Sequence, residues 1–234
     1  MIRFTLITAF ISTMTFTGGN GPRVIEIAAD TELIPEGIAV HPRKGTLYLS
    51  SLHQHKIVAV SPKGSARDLT PAGAEDFKLG LGMKIDAAGK TLWACTAFND
   101  STNHQTGLYQ VDLYTGKVLQ KFIRKEDKHC FFNDLVIDRK GNIYITDSYQ
   151  SSVFLWDAQT ATLSRWLQNE LLQWANGIAL SADEQTLFVA SGSHGIQKIN
   201  IRTKEISPIA GKDTDFYFID GLAWYRNSLI GVVG

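Results

Sequence analysis

Short runs of alternating apolar and polar residues fill most of this chain, and they come in pairs that a turn separates. The clearest pair lies in Phe132–Ser148 (FNDLVIDRKGNIYITDS), where the runs LVID and IYITD flank a Lys-Gly-Asn turn. Alternation on both sides of a Gly/Asn turn is typical of an antiparallel β-hairpin. The pattern therefore predicts a hairpin at this point of the chain.

The same hairpin pattern occurs five times. The copies lie at Pro35–Ser51, Leu81–Thr96, Phe132–Ser148, Ala175–Ser191 and Ile219–Gly234. Measured from the residue just before each first run, successive copies are 45, 52, 43 and 44 residues apart. A period in the forties with several short strands per unit is the signature of a β-propeller blade. We therefore predict an all-β fold, a β-propeller of four-stranded blades.

Each of the first four units contains four predicted strands, the number in a propeller blade. They lie near Gly37–Val40, Thr46–Ser51, Lys56–Ser61 and Ala66–Leu69; Met83–Ile85, Thr91–Thr96, Gly107–Leu113 and Lys117–Phe122; Leu135–Ile137, Asn142–Asp147, Ser152–Trp156 and Leu163–Leu167; and Ile178–Leu180, Thr186–Ser191, Ile196–Ile201 and Glu205–Ile209. Val24–Ile27 has the composition of one more strand, and Glu170–Trp174 predicts a short turn between two units.

The fifth unit is shorter than the others. It supplies a first strand and most of a second before Gly234. An open propeller would leave long strand edges unpaired. We therefore expect this chain to be a fragment of a longer, six-bladed propeller, with a propeller domain over residues 20–234 that is incomplete at its C-terminal side.

The first 19 residues differ from the repeats. A short basic start (Met1–Arg3) precedes the mostly apolar stretch Phe4–Phe16 and the small residues Thr17–Gly19. This order is typical of a secretory signal peptide and is too short for a membrane helix. We predict export to the periplasm or secretion, with a disordered leader or a buried strand as the alternatives.

The charge of the chain is balanced. Lys plus Arg and Asp plus Glu both total 23, which gives a formal net charge of zero. Nucleic-acid binding needs a basic surface, so this balance argues against a nucleic-acid partner. The two cysteines, Cys95 and Cys130, permit one disulfide in an oxidising compartment, but we favour two free buried thiols.

One repeat position carries a possible metal site. The residues just before the five predicted first strands are Glu36, Leu81, Asn133, Asn176 and Asp220. Blade topology points all five toward one axial spot, and four of them bear a side-chain oxygen. Two carboxylates and two amide oxygens favour Ca²⁺, then Mg²⁺; Zn²⁺ is less favoured because no thiolate or imidazole joins the set. The alternative is that Asn-Gly and Asp-Gly are merely turn formers here.

The loops between second and third strands fall on the same face of the predicted propeller. They place His53, His55, His104 and His194 there, and His129 lies on the approach to Asn133. Clustering favours at least one acid or base among them. His41 falls on the opposite face and is expected to be structural.

Several aromatic residues can form the walls of a substrate pocket on this face. The loop residues Phe98 and Tyr149 are better candidates than Trp93 and Trp156, which lie inside strands and are expected to pack between blades. Trp174 is a further candidate for this wall.

The segments PEGIAV, FNDLVIDRKGNIYITDS, ANGIALSADEQTLFVAS and IDGLAW resemble the regucalcin/gluconolactonase (senescence marker protein) family of six-bladed β-propellers. That family is related to paraoxonase and diisopropyl-fluorophosphatase. The resemblance covers about Pro35 to the C-terminus. It implies a catalytic divalent cation in the central channel, held by Glu36, Asn133, Asn176 and Asp220, with Asp220 also a base or water activator. The family has no ligand from the second unit, which agrees with Leu81. No motif places the histidine pair of the paraoxonase type in this chain, and His104 and His129 are the catalytic candidates for it.

The resemblance implies hydrolysis of a small-molecule lactone or ester. Sugar-lactone members carry an arginine two residues before the third unit's asparagine, whereas this chain has Phe131. Phe131 therefore joins Phe98 and Tyr149 as a pocket candidate and favours a more apolar lactone. The rival interpretation is a non-catalytic propeller that binds a ligand or protein and uses Ca²⁺ only to tie blades together. Strictosidine-synthase-like chemistry is a third, less favoured one.

Overall fold

The computed structural model describes residues 3–7, 25, 30, 32–98, 104–125, 129–209 and 218–233, with the backbone alone at 3–7. Nearly all regular structure in these residues is β-strand. Four antiparallel sheets of four strands follow one another along the chain, and a smaller fifth sheet follows them. The predicted all-β architecture of four-stranded, blade-like sheets is confirmed.

The four complete sheets each take four consecutive strands in order. They are β2 (Pro35–Val40), β3 (Leu47–Ser51), β4 (Ile57–Val60) and β5 (Ala66–Asp68); β6 (Leu79–Ile85), β7 (Thr91–Ala97), β8 (Gln105–Asp112) and β9 (Val118–Lys125); β10 (Phe132–Ile137), β11 (Ile143–Asp147), β12 (Ser152–Asp157) and β13 (Thr162–Gln168); and β14 (Ala175–Leu180), β15 (Thr186–Ser191), β16 (Gly195–Asn200) and β17 (Ile206–Pro208).

The fifth sheet has three strands. β18 (Ile219–Tyr225) and β19 (Ser228–Val233) form the predicted hairpin, and β1 (Arg3–Ile7) pairs with β19 in parallel. β1 lies inside the predicted signal peptide, where a strand was one of the alternative interpretations. Export stays a prediction.

The first strands of successive sheets pack side by side. β2 contacts β6, β6 contacts β10, β10 contacts β14, and β14 contacts β18. Between the sheets the cores are apolar, and Trp93 and Trp156 meet there with ring centroids 4.7 Å apart. Their predicted role in packing between blades is confirmed.

Each of these inner strands contains a shift of register. The shifts lie between Pro35 and Ile38, Gly80 and Met83, Phe132 and Leu135, Ala175 and Ile178, and Ile219 and Gly221. A bulge of this kind leaves extra residues unpaired and re-aims their side chains. From the sequence, the oxygen-bearing residues were predicted to precede the first strands. This prediction was wrong: they lie inside the strands, because each strand is paired on both sides of its bulge. In β14, for example, Ala175 pairs with Ser191 before the bulge and Ile178 pairs with Val189 after it.

The inner strands approach one another closely at glycines. A Cβ on Gly82 would lie 2.6 Å from Asp134 Cα, and a Cβ on Gly177 would lie 2.5 Å from the Leu222 nitrogen. Real Cβ atoms do not come so close to backbone, so only glycine permits this spacing. Neighbouring bulges are thereby held against each other.

Buried hydroxyl groups join one inner strand to the next. Thr146 Oγ1 accepts a hydrogen bond from the Asp134 nitrogen at 3.1 Å and donates to the Asn176 carbonyl at 2.7 Å. Ser50 makes the same connection in the first sheet, donating to the Leu81 carbonyl at 2.8 Å. These bonds fix the backbone of the candidate site, because Asn176 and Leu81 occupy the repeat position in question.

The remaining predictions have mixed outcomes. The turn at Glu170–Trp174 is confirmed as a 3₁₀ helix over Glu170–Leu172, and a second one at Ala74–Asp76 was not predicted. Cys95 and Cys130 are buried free thiols. The proposed strand Val24–Ile27 lies outside the described residues except at residue 25. Within the described ranges, no helix has the length and apolar character needed to cross a membrane.

Replacing Thr146 with valine tests the hydroxyl connection. Val keeps the shape and β-branching but leaves the Asp134 nitrogen and the Asn176 carbonyl without their partner, so Thr146→Val is expected to cost about 1–3 kcal/mol in the free energy of unfolding. Denaturant unfolding measures this loss. Thr186→Val in β15 is the matched control, because its side chain makes no hydrogen bond in the described structure, and an equal loss in both variants would contradict the assignment.

Candidate active site in the central channel

A cavity of about 260 Å³ lies where the inner strands converge. Glu36, Asn133, Asn176 and Asp220, the four oxygen-bearing residues of the repeat position, all line it. The fifth member of the position, Leu81, is 2% exposed and packs in the apolar core instead. The structure thus brings together the four residues that the sequence grouped.

Hydrogen bonds orient the two amides. Asn176 Nδ2 donates to Asp220 Oδ1 at 2.8 Å, and Asn133 Nδ2 donates to Ser148 Oγ at 3.1 Å. Ser148 Oγ in turn donates to the Ala175 carbonyl at 2.6 Å. The NH₂ group of each amide therefore donates a hydrogen bond to a neighbouring side chain. In the described part of the chain, neither side-chain oxygen has a hydrogen-bond donor.

Two charged residues in the cavity were not singled out from the sequence. Asp134 and Lys84 both line it, and Lys84 Nζ lies 3.9 Å from Asp134 Oδ1. Asp134 Oδ2 also accepts a hydrogen bond from the Ile178 nitrogen at 3.3 Å, in the next inner strand. A signal for Asp134 existed, since it replaces the glycine that the other four units have at that position.

The cavity carries excess negative charge. Three carboxylates, those of Glu36, Asp134 and Asp220, line it together with the single ammonium group of Lys84. Partial burial raises the pKa of the Glu36 carboxyl, and the charges of Asp220 and then Asp134 raise it further. A carboxyl group whose pKa rises on folding keeps its proton up to a higher pH in the folded state than in the unfolded state. At pH values where Glu36 is ionised, its charge therefore lowers the free energy of unfolding.

The donor chemistry of this cavity fits a hard divalent cation. Carboxylate and amide oxygens are the ligands that Ca²⁺ takes, and the surplus negative charge is what such a cation would neutralise. The described residues contain no cluster of three or more His, Cys, Asp or Glu side chains with metal-binding spacing. The candidate set reaches four oxygen donors only because two of its members are asparagines.

The histidines lie apart from this cavity. The rings of His104 and His129 stack with centroids 3.9 Å apart, and His104 Nδ1 is buried without a hydrogen-bond partner in the described structure. Among the residues described, no histidine lines the channel cavity. The imidazole of His53 instead pairs with Glu32 at 2.9 Å, and that of His41 accepts turn N–H groups, as expected for a structural residue.

The predicted pocket aromatics divide into two groups. Phe131 and Tyr149 contact each other edge to face at 5.4 Å, and Tyr149 contacts Trp174 in the same way at 5.6 Å. Phe98 does not line the channel cavity, and among the described residues no ring contact joins it to this row. Burial raises the pKa of the Cys130 thiol to about 11, so this thiol is protonated at neutral pH.

Residues 34–210 match the family model described as SMP-30/Gluconolactonase/LRE-like region. The chain belongs to this family. The match spans most of the chain and includes Glu36, Asn133 and Asn176, although not Asp220. The resemblance drawn from the repeated hairpins is thereby confirmed.

The chain is also similar to curated proteins with a named activity. Lactonase drp35 of Staphylococcus epidermidis, found in two strains, is 28% identical to this chain over 167 residues, which are 69% of this chain and 49% of the relative. The chain therefore spans about half the length of the curated relatives it matches.

Solved structures support the fold. A gluconolactonase from Xanthomonas campestris superposes with a TM-score of 0.64 at 21% identity, covering 85% of this chain and 75% of that one. Virginiamycin B lyase from Staphylococcus aureus superposes with a TM-score of 0.62 at 16% identity, covering 87% and 64%. At these identities the likeness shows the propeller fold alone.

Changing Glu36 to glutamine tests the charge in the cavity. The pKa of Glu36 is raised, so its ionisation lowers stability as pH rises from below 4.5 through the raised pKa. In chelator at pH 7, Glu36→Gln is therefore expected to melt at a slightly higher temperature than the parent chain. The gain should vanish below pH 4, where the parent is also protonated.

If the cavity holds Ca²⁺, the same variant should respond less to the ion, because it has lost one of the candidate charged ligands. The measurement is a pair of thermal melts, one with chelator and one with millimolar Ca²⁺. A variant that melts lower than the parent in chelator would contradict the account of the charge.

Proposed function

We propose that this protein hydrolyses lactones at the channel cavity with the help of a bound divalent cation. Two observations support the proposal. The chain belongs to a family that includes gluconolactonases, and four oxygen-bearing side chains from one repeat position converge on a single cavity. The convergence carries more weight, because each residue reaches the cavity from a separate sheet.

In this proposal Glu36, Asn133, Asn176 and Asp220 hold the cation. Ca²⁺ is favoured and Mg²⁺ is second, since every donor is an oxygen. When bound, the cation would act as a Lewis acid on the lactone carbonyl and stabilise the developing oxyanion. The hydrogen bonds from Asn176 to Asp220 and from Asn133 to Ser148 would keep the amide oxygens free for that role.

Asp220 is the proposed base. Its Oδ1 accepts the Asn176 hydrogen bond, which leaves the other oxygen to receive a proton from the attacking water. The water oxygen bonds to the carbonyl carbon, and the ring C–O bond then breaks. The alkoxide then takes up the proton that Asp220 received from the water and leaves as a hydroxyl group, so Asp220 returns to its carboxylate form and the product is a hydroxy acid.

The proposal assigns no proton transfer to His104 or His129, because neither lines the cavity. Asp220→Asn is expected to lower kcat by at least about a hundredfold, the range in which an acid–base group contributes. His129→Gln should change kcat by less than about fivefold. A loss in the histidine variant as large as that in Asp220→Asn would contradict this division of roles.

The function is tested with a panel of lactones followed by acid release, with added Ca²⁺ or with chelator. Turnover that depends on the cation and is lost in Asn133→Ala supports the proposal. Gln159→Ala is the control, since this exposed amide lies in a turn far from the cavity and its side chain makes no hydrogen bond in the described structure. Activity that survives Asn133→Ala would contradict catalysis at this site.

The rival function predicts a different result from the same panel. If Ca²⁺ only ties blades together in a binding module, it raises the melting temperature but no lactone is hydrolysed.

A further inference from the structure

A second repeat position borders the candidate site. Two residues before each member of the first position, the chain has Ile34, Leu79, Phe131, Trp174 and Phe218. Every one is large and apolar. The five units thus present an apolar side chain beside each bulge.

Three of these residues have a backbone conformation that bulky side chains disfavour. The φ angles of Ile34, Trp174 and Phe218 are 40°, 57° and 57°, in the left-handed region where glycine or asparagine is usual. The same three side chains are 50%, 52% and 74% exposed. Exposure and backbone strain both oppose stability, so a contribution to the stability of the fold does not account for these three residues.

The strained backbone is held by a repeated hydrogen bond. The Trp174 carbonyl accepts from the Gly192 nitrogen at 3.1 Å, and the Ile34 carbonyl accepts from the Leu52 nitrogen at 3.1 Å. The Phe131 carbonyl is held in the same way by the loop that follows its own second strand. A Cβ on Gly192 would come within 3.0 Å of Trp174 Cβ, so this glycine makes room for the indole.

A cavity of about 650 Å³ connects this position to the candidate site. Trp174 and Phe218 line it, and it shares Asn176 and Asp220 with the channel cavity. A molecule whose reacting carbonyl lies at Asp220 can therefore extend a substituent into a cavity that Trp174 and Phe218 both line. The row from Trp174 through Tyr149 to Phe131 extends the apolar surface along the rim.

We propose that Trp174 and Phe218 form a subsite for an apolar alkyl or aryl substituent on the lactone ring. The assignment rests on the proposed function and names its substrate class: hydrophobic lactones rather than polyhydroxylated sugar lactones. Apart from Asn176 and Asp220, which the proposed function assigns to the cation, Ser193 is the one polar side chain among the described residues that line this cavity. Most hydroxyl groups of a sugar would therefore lie against Trp174 and Phe218 without a hydrogen-bond partner, and burying them in this way is costly.

Trp174→Gly is the central variant. Glycine adopts the left-handed backbone without strain, and the substitution removes the indole. The variant should therefore melt at or above the temperature of the parent chain while it loses selectivity for substituted lactones. The ratio of kcat/KM for δ-decalactone to that for unsubstituted δ-valerolactone is expected to fall about tenfold, a typical effect of lost apolar contacts in a pocket. Ala161→Gly is the matched control, because Ala161 is also left-handed and exposed but lies away from the site.

Binding separates this proposal from the proposed function. The probes are a pentyl-substituted δ-lactam, an analogue of δ-decalactone, and unsubstituted δ-valerolactam, both measured by calorimetry on the parent chain and both variants. If the subsite exists, the parent chain binds the substituted lactam more tightly than the unsubstituted one. Trp174→Gly then binds the substituted lactam more weakly than the parent does, whereas Ala161→Gly binds it as the parent does.

If the substituted lactam binds in this way but no lactone is hydrolysed, the subsite stands and the proposed function fails. If lactones are hydrolysed with no preference for the pentyl group, or if the two lactams bind alike, the subsite is wrong.

Discussion

The close approach of the inner strands is the constraint on which the rest of the structure depends. Gly82 and Gly177 have no Cβ, and this lets the backbones of neighbouring inner strands come closer than any other residue would allow. The hydroxyl of Thr146 then joins one strand to the next by way of the Asn176 carbonyl. Each inner strand has its bulge beside these contacts. The packing that holds the sheets together therefore also sets the positions of the candidate site residues.

That geometry concentrates charge at the cost of stability. Glu36, Asp134 and Asp220 face one small cavity, and Lys84 offsets only part of their charge. The exposed, left-handed Trp174 and Phe218 add a second cost at the mouth of the same site. Local costs that cluster at one place are characteristic of functional sites, where ligand binding compensates for them. Both features here make sense as two parts of one binding site.

Much of the fold could be predicted because its signal is local. Period-two alternation around Gly/Asn turns identifies each hairpin, and the repeat identifies the blade. Aligning the repeats was also enough to group Glu36, Asn133, Asn176 and Asp220, which a search for known motifs in any one unit would miss.

The rest depends on information that the alternation does not contain. A bulge changes the pairing without changing the composition, so the strand starts were placed too late. Lys84 looks like an ordinary polar strand residue, and its place in the channel follows only from the packing of β6. The stacking of His104 on His129 was invisible for the same reason, because loop lengths do not determine which side chains meet. The parallel pairing of β1 joins the two ends of the chain, and no local pattern encodes such a contact.

The most direct test of the central claim is a calorimetric titration of the metal-free chain with Ca²⁺. The account predicts one site per chain, abolished or strongly weakened in Asn176→Ala and retained in Gln159→Ala. At a hundredfold excess over its dissociation constant, such a ligand would add about 2.7 kcal/mol to the free energy of unfolding. A folded chain that binds no Ca²⁺ or Mg²⁺, or that binds them equally well without the Asn176 amide, would contradict a cation site built from the bulged inner strands.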